Sequence, residues 1–162
     1  MLFSAMFSGD EQTFGKLLYE IVKRSFSYHD FGDKEPERVY QAFVLGLMVH
    51  LRDQFYVRSN RESGLGRYDV ALVPMPTSVV EAQRQEGMVE SKRWPRRGVV
   101  FELKSIDAKG EDAIEKALDE AMEQIERLDY DTELREAQAE KIVRWGVVFD
   151  GKQVWVRVGV SE

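Results

Sequence analysis

Three residues of this 162-residue chain have the types and spacing to act on a phosphate with a divalent cation: Asp69, Glu102 and Lys104. Glu102 and Lys104 lie two apart in Gly98 to Ser105, where Val99, Phe101 and Leu103 alternate with Val100, Glu102 and Lys104. On a β-strand, residues two apart project from one face about 7 Å from each other. Asp69 falls in Arg67 to Val73, expected as the preceding long strand, with Tyr68, Val70 and Leu72 on one face. Arg67, Asp69, Ala71 and Val73 take the other. Paired in register, the two strands would bring both carboxylates to one Mg²⁺ or Mn²⁺, with the Leu103 carbonyl as a further ligand. Lys104 would stand beside the attacking water, lowering its pKa and stabilising the extra negative charge of the transition state. That is the chemistry of phosphodiester hydrolysis.

An acid followed two residues later by Lys is a common pattern. It occurs four times: Glu90-Ser91-Lys92, Glu102-Leu103-Lys104, Asp107-Ala108-Lys109 and Asp150-Gly151-Lys152. Three of these lie in polar loops, a helix approach or a turn, where charges are simply solvated. Only Glu102 and Lys104 are embedded in an apolar strand, where charge costs desolvation unless it is paired or used. The same residues also fit a strand-edge ion pair among Glu102, Lys104 and Arg67.

Bulk composition narrows the options. With no cysteine, disulfides, zinc–cysteine sites and thiol catalysis are excluded. His29 and His50 are too few and too far apart to make a zinc site. The net charge of −6 argues against a protein that holds nucleic acid by phosphate neutralisation alone, yet carboxylates that bind metal gain positive charge where phosphate must sit. No stretch approaches the ~20 apolar residues of a membrane helix. Met1 to Phe7 has no basic residue before its apolar part, so it does not read as a secretory signal. The expected location is cytoplasmic, with no membrane partner.

The elements that must position these residues emerge from hydrophobic period. Asp10 can cap a helix to about Phe26, with Phe14, Leu17, Leu18, Ile21 and Val22 on its stripe. After a break at Ser27 to Asp33, a second helix begins at Pro36, apolar at Val39, Tyr40, Phe43, Val44, Leu47, Met48 and Leu51. Gln54 to Ser59 reads as a short strand, and Pro74 to Arg97 as a long polar insertion. A strongly amphipathic helix is expected from Glu111 to Leu128 and a short one near Glu133 to Glu140. Strands at Ile142 to Phe149 and from Val154 flank a turn at Asp150-Gly151. The predicted class is α/β: a mixed central sheet flanked by helices, with an N-terminal helical segment. One domain is expected over 1–162, with helices in 1–53 and a sheet-and-helix core in 54–162.

Gly66-Arg67-Tyr68-Asp69, then Phe101-Glu102-Leu103-Lys104, then Ala117-Leu118 through Gln124-Ile125 to Tyr130 resemble the PD-(D/E)XK nuclease superfamily. Tyr40 to Leu47 and Gly146 to Phe149 extend the resemblance over nearly the whole chain, toward the branch often found C-terminal to an AAA-ATPase-like domain. It implies a restriction-endonuclease-like core and a Mg²⁺- or Mn²⁺-dependent nuclease acting on nucleic acid, chiefly DNA. It also implies an AAA-ATPase-like partner in cis or in trans. Asp69 and Glu102 would be metal ligands, Lys104 the catalytic lysine, and Gln124 and Tyr130 helix-derived residues near the site. Taken by its spacing alone, Gln124 fits a solvated helix position equally well. The other outcome the resemblance allows is a catalytically weak or inactive nuclease-fold module that binds nucleic acid or regulates the ATPase.

The chain departs from the family in two places. Many members carry an acid on the first core helix, whereas Tyr40 to Leu51 has none facing the core; Glu37 and Glu62 are the substitutes at hand, with Arg67 as a further accessory residue. The long insertion holds Lys92, Arg93, Trp94, Arg96 and Arg97, which fit either a nucleic-acid contact or a solvated loop.

Overall fold

Short apolar segments buried on both faces form the middle of the sheet, and helices whose apolar residues repeat every three to four form its cover. A computed structural model describes residues 1–27, 36–59, 62–63, 66–88, 92–107 and 110–161. In chain order the strands are β1 (Phe55–Ser59), β2 (Glu62–Ser63), β3 (Gly66–Arg67), β4 (Val70–Pro74), β5 (Arg97–Ser105), β6 (Lys141–Asp150) and β7 (Gln153–Ser161). The helices are α1 (Leu2–Ser8), α2 (Glu11–Ser25), α3 (Pro36–Met48), α4 (Thr77–Gln85), α5 (Glu111–Arg127) and α6 (Thr132–Glu136).

One five-stranded sheet runs β1-β4-β5-β6-β7, and β2 and β3 make a separate small hairpin. All neighbours in the large sheet are antiparallel except β5 and β6, which are parallel. A parallel pair needs a long crossover, and α5 with α6 supplies it. Gly151, at a φ of 55°, makes the short turn from β6 to β7.

Each face of the sheet is covered by a different set of helices. Val99, Phe101 and Leu103 of β5 share a core with Val143, Trp145, Val147 and Phe149 of β6 and with α1, α2 and α3. Aromatic contacts hold this layer: the Phe14 ring lies tilted 4.3 Å from Trp145 and Tyr40 stacks on Phe149 at 4.1 Å. As expected, Asp10 caps α2, its side chain accepting from Thr13 N–H at 3.1 Å. On the opposite face, Val100 and Ile142 pack with Ile125, Tyr130 and Leu134 from α5, α6 and their connection. Glu102 and Lys104 share the strand face of Val100, so they lie on the α5 side.

The structure differs from the periodic reading in several places. Arg67 to Val73 is not one strand: β3 ends at Arg67, the chain bends at Asp69, and β4 begins at Val70. The bend reverses the alternation, so Tyr68 packs with Ala71 and Val73, not with Val70 and Leu72. The polar insertion contains α4, which starts directly after Pro76 and buries none of its residues. The apolar N-terminus is α1, with Ala5, Met6 and Phe7 buried. The break expected at Ser27 to Asp33, apart from Ser27, lies outside the described residues, and His29 with it. His50 is exposed, 6.5 Å from the Phe3 ring. Among the described residues no helix is long and apolar enough to cross a membrane.

Candidate active site

The antiparallel register of β4 and β5 pairs Val70 with Phe101, so the next position on each strand sets Asp69 across from Glu102. The bend at Asp69 ends the ladder there. Its carboxylate takes over where a main-chain acceptor would have been, Oδ2 accepting from Leu103 N–H at 2.8 Å. Gln41, one turn into α3, donates to the Asp69 carbonyl at 3.1 Å and fixes the bend from the other side of the sheet. Asp69 is therefore held at the end of β4 by the neighbouring strand β5 and by helix α3.

Glu102 is 3 % exposed, and Lys104 Nζ lies 3.6 Å from its Oε1. Gln124 bridges the two. Its Nε2 donates to Glu102 Oε1 at 2.6 Å and to the Tyr130 hydroxyl at 3.0 Å, while Lys104 Nζ donates to Gln124 Oε1 at 2.9 Å. Helix α5 comes close enough to do this because β6 places Gly146 beside Glu102. A Cβ at Gly146 would stand 3.1 Å from Met122 Sδ and 3.2 Å from Ala121 Cβ. Lys104, Gln124 and Arg127 then open on a cleft of about 680 Å³ whose rim also carries Glu120, Glu123 and Glu126.

Electrostatics here are unfavourable to two ionised acids. Burial, then the neighbouring Asp69 charge, pushes the Glu102 carboxyl up to about 8, against an opposing pull from Lys104. Burial likewise raises Asp69; the Leu103 N–H opposes it and Glu37 adds to it. Within the described residues, Glu102 Oε2 is buried with no hydrogen-bond partner. A buried, unmatched carboxylate oxygen beside a second carboxylate is a site that a cation would relieve.

Among the described residues, no three or more His, Asp or Glu gather closely enough to form a metal cage by themselves. Two carboxylates still suit Mg²⁺, which typically takes one or two and fills its remaining positions with water and substrate oxygens. On this test Asp69 and Glu102 fit the ion.

The other residues singled out by sequence fall in different places. Glu37, at the start of α3, reaches the site: its carboxylate accepts from Ser105 N–H at 3.3 Å, and its charge acts on both Asp69 and Glu102. Arg67 is exposed on the β2–β3 hairpin, where its main chain pairs with Glu62. It does not share the ladder face of Asp69 as expected, because the bend intervenes. The basic group sits at the other end of β5, about 23 Å from Lys104 by strand rise. Arg96 donates to the carbonyls of Met75 and Ala137, and Arg97 to that of Phe7. Arg93 pairs with Glu81, and Lys92 lies 4.7 Å over the Trp94 ring. The structure thus brings together Asp69, Glu102, Leu103, Lys104, Gln124 and Tyr130, and sets Lys92, Arg93, Arg96 and Arg97 apart from them.

Behind the site lies a layer of ion pairs and hydrogen bonds that sequence pattern did not reveal. Asp131, Glu133, Tyr68, Arg58 and Arg144 link α6 and its lead-in to the sheet through pairs 13 to 75 positions apart in the chain. No local pattern announces such pairs.

Residues 35–158 match the family model of the PD-(D/E)XK nuclease superfamily. Comparison with curated proteins and with solved structures gave no match.

Proposed function

The chain belongs to the PD-(D/E)XK nuclease superfamily, and from that premise we propose that it is a metal-dependent nuclease that hydrolyses phosphodiester bonds in DNA. The observation that carries this reading is the pairing of Asp69 with Glu102 at the sheet end, where a buried carboxylate oxygen has no donor among the described residues and Lys104 stands alongside. Members of this superfamily generally use divalent metals. Asp69, Glu102 and the Leu103 carbonyl would hold Mg²⁺ or Mn²⁺, which supplies charge neutralisation at the phosphate and activation of water.

The chain's own residues supply the rest. Gln124 takes one oxygen of Glu102 by hydrogen bond and, among the described residues, leaves the other buried without a donor, available to a cation. Lys104, held by Gln124 Oε1, presents a fixed positive charge where the pentacovalent phosphate gathers negative charge. A charge already in place costs no reorganisation as the reaction proceeds.

The test is cleavage of plasmid and oligonucleotide DNA with Mg²⁺ or Mn²⁺. Asp69→Ala, Glu102→Ala and Lys104→Ala should each lower the rate by at least ~100-fold, in line with the loss of one preorganised group. Lys104→Ala should retain its Mn²⁺ affinity. Wild-type protein that cleaves no DNA or RNA with either ion would overturn the proposal.

The acidic rim of the cleft and the net charge of −6 favour a second arrangement, in which an AAA-ATPase-like partner supplies the basic surface that guides the nucleic acid. Co-purification of a tagged chain with such an ATPase, together with a rise in cleavage when the two are mixed, would support it. Equal cleavage with and without the ATPase would count against it.

A further inference from the structure

Gln124 makes three of the hydrogen bonds that organise the site, yet it sits in the last turns of α5, where a helix end is free to fray. Its fixed position must come from the chain beyond the helix. Helix α5 ends at Arg127, and Asp129 takes a left-handed φ of 48°, turning the chain so that Tyr130 is buried beneath the Gln124 amide.

The next residue, Asp131, is 2 % exposed. It accepts from Arg144 of β6 through both Nε (3.0 Å) and Nη2, and from Arg135 at 3.2 Å. Arg144 is the register partner of Val100, two residues before Glu102 on β5, so the anchor stands on the strand paired with the one that carries the acid. Two residues further, Glu133 accepts from Arg58 of β1 and from the Tyr68 hydroxyl at 2.8 Å. Tyr68 directly precedes Asp69, and its ring meets Tyr130 edge-on at 6.3 Å. The hairpin closes over the same segment: a Cβ at Gly66 would come within 2.6 Å of Leu128 and 3.0 Å of Tyr130.

Replacing a buried ion pair by apolar residues is often neutral for stability, so this anchor is better explained by the place it fixes than by energy it adds. A bidentate carboxylate–guanidinium pair sets both distance and orientation. We propose that Asp131, through Arg144, is a positioning residue: it holds the Tyr130 arm under Gln124, so that Gln124 keeps its bonds to Glu102 and Lys104. The proposal rests on the nuclease reading for its role in a reaction, but the geometry it claims exists without substrate or metal.

The experiment therefore reads the geometry first. In metal-free, ¹⁵N-labelled protein, the two side-chain amide protons of Gln124 should be well separated and slow to exchange. In Asp131→Asn and in Arg144→Lys, which keeps the charge and loses the fork, they should collapse toward the values of a free glutamine. Mn²⁺ affinity should stay within about threefold, because Asp69 and Glu102 remain. With active protein, kcat should fall at least ~10-fold with KM little changed, since a displacement of 1 Å at a catalytic group can cost ~100-fold. Unchanged Gln124 signals in both folded variants would overturn the proposal, whatever happens to their melting temperatures. Should Asp131→Asn fail to fold, Arg144→Lys decides alone by the same signals. A wild-type chain that cleaves nothing would sink the nuclease reading, while the Gln124 signals still decide this inference.

Discussion

The unusual residue here is Glu102, an acid buried among an acid, a lysine and a glutamine. The folded chain holds its proton up to about pH 8, against 4.5 for an ordinary glutamate. Because the folded state binds that proton more tightly than the unfolded chain does, this group favours folding fully below pH 4.5, and that contribution is lost as pH rises toward 8. Thermal unfolding of metal-free protein between pH 5 and 8.5 should show the loss. Glu102→Gln should flatten the slope and leave the protein the more stable of the two at pH 8. An unaltered slope in the variant would contradict the assignment. A bound cation must displace the same proton, so Mn²⁺ affinity should climb with pH until about 8. The pairing of Asp69 with Glu102 was legible in the sequence because it needs only two strands and a register. Gln124 was not resolved by pattern alone, since its place on the flank of the Ala121 and Ile125 stripe allows either solvent or site. The family resemblance chose the site, and the hydrogen bonds place it there.

At the scale of elements, α5 and α6 hold the site by lying close on the sheet, and small residues set that distance. Gly98 of β5 is an example: a Cβ there would be 2.8 Å from both methyl carbons of Leu134 in α6. Gly98→Ala should cost ~1–3 kcal/mol, as overpacking does. Leu134→Ala alone should cost ~2–5 kcal/mol by leaving a cavity. Combined, the two should cost less than their sum, because the new methyl group occupies space that Leu134 vacates; chemical denaturation of all four proteins measures this. Strict additivity would mean that the two positions do not share that space. Period revealed α3 and α5 because each buries one regular stripe, and β5 because its apolar run is broken only by Glu102 and Lys104 on one face. It did not reveal α4, whose exposed Val79 and lack of buried residues leave no stripe to read. It also misplaced Tyr68, because the bend at Asp69 lets one strand pattern straddle two segments.

At the scale of the whole molecule, charge sets how the site can meet a polyanion. Net charge is −6, the cleft rim is acidic, and Arg96 and Arg97 spend their donors on main-chain carbonyls at the far end of β5. Without metal, affinity for duplex DNA at physiological salt should be no tighter than the ~100 µM to 1 µM range of non-specific binders, and fluorescence anisotropy with Ca²⁺ should show a gain. Nanomolar binding in the absence of any divalent ion would contradict this picture. Most depends on whether positions 69 and 102 act together on one cation. Calorimetric titration of Mn²⁺ tests that directly: wild-type protein should take up an ion, and Asp69→Ala and Glu102→Ala should each abolish the uptake while circular dichroism stays native. Equal Mn²⁺ uptake by wild type and both variants, or none by wild type, would contradict it.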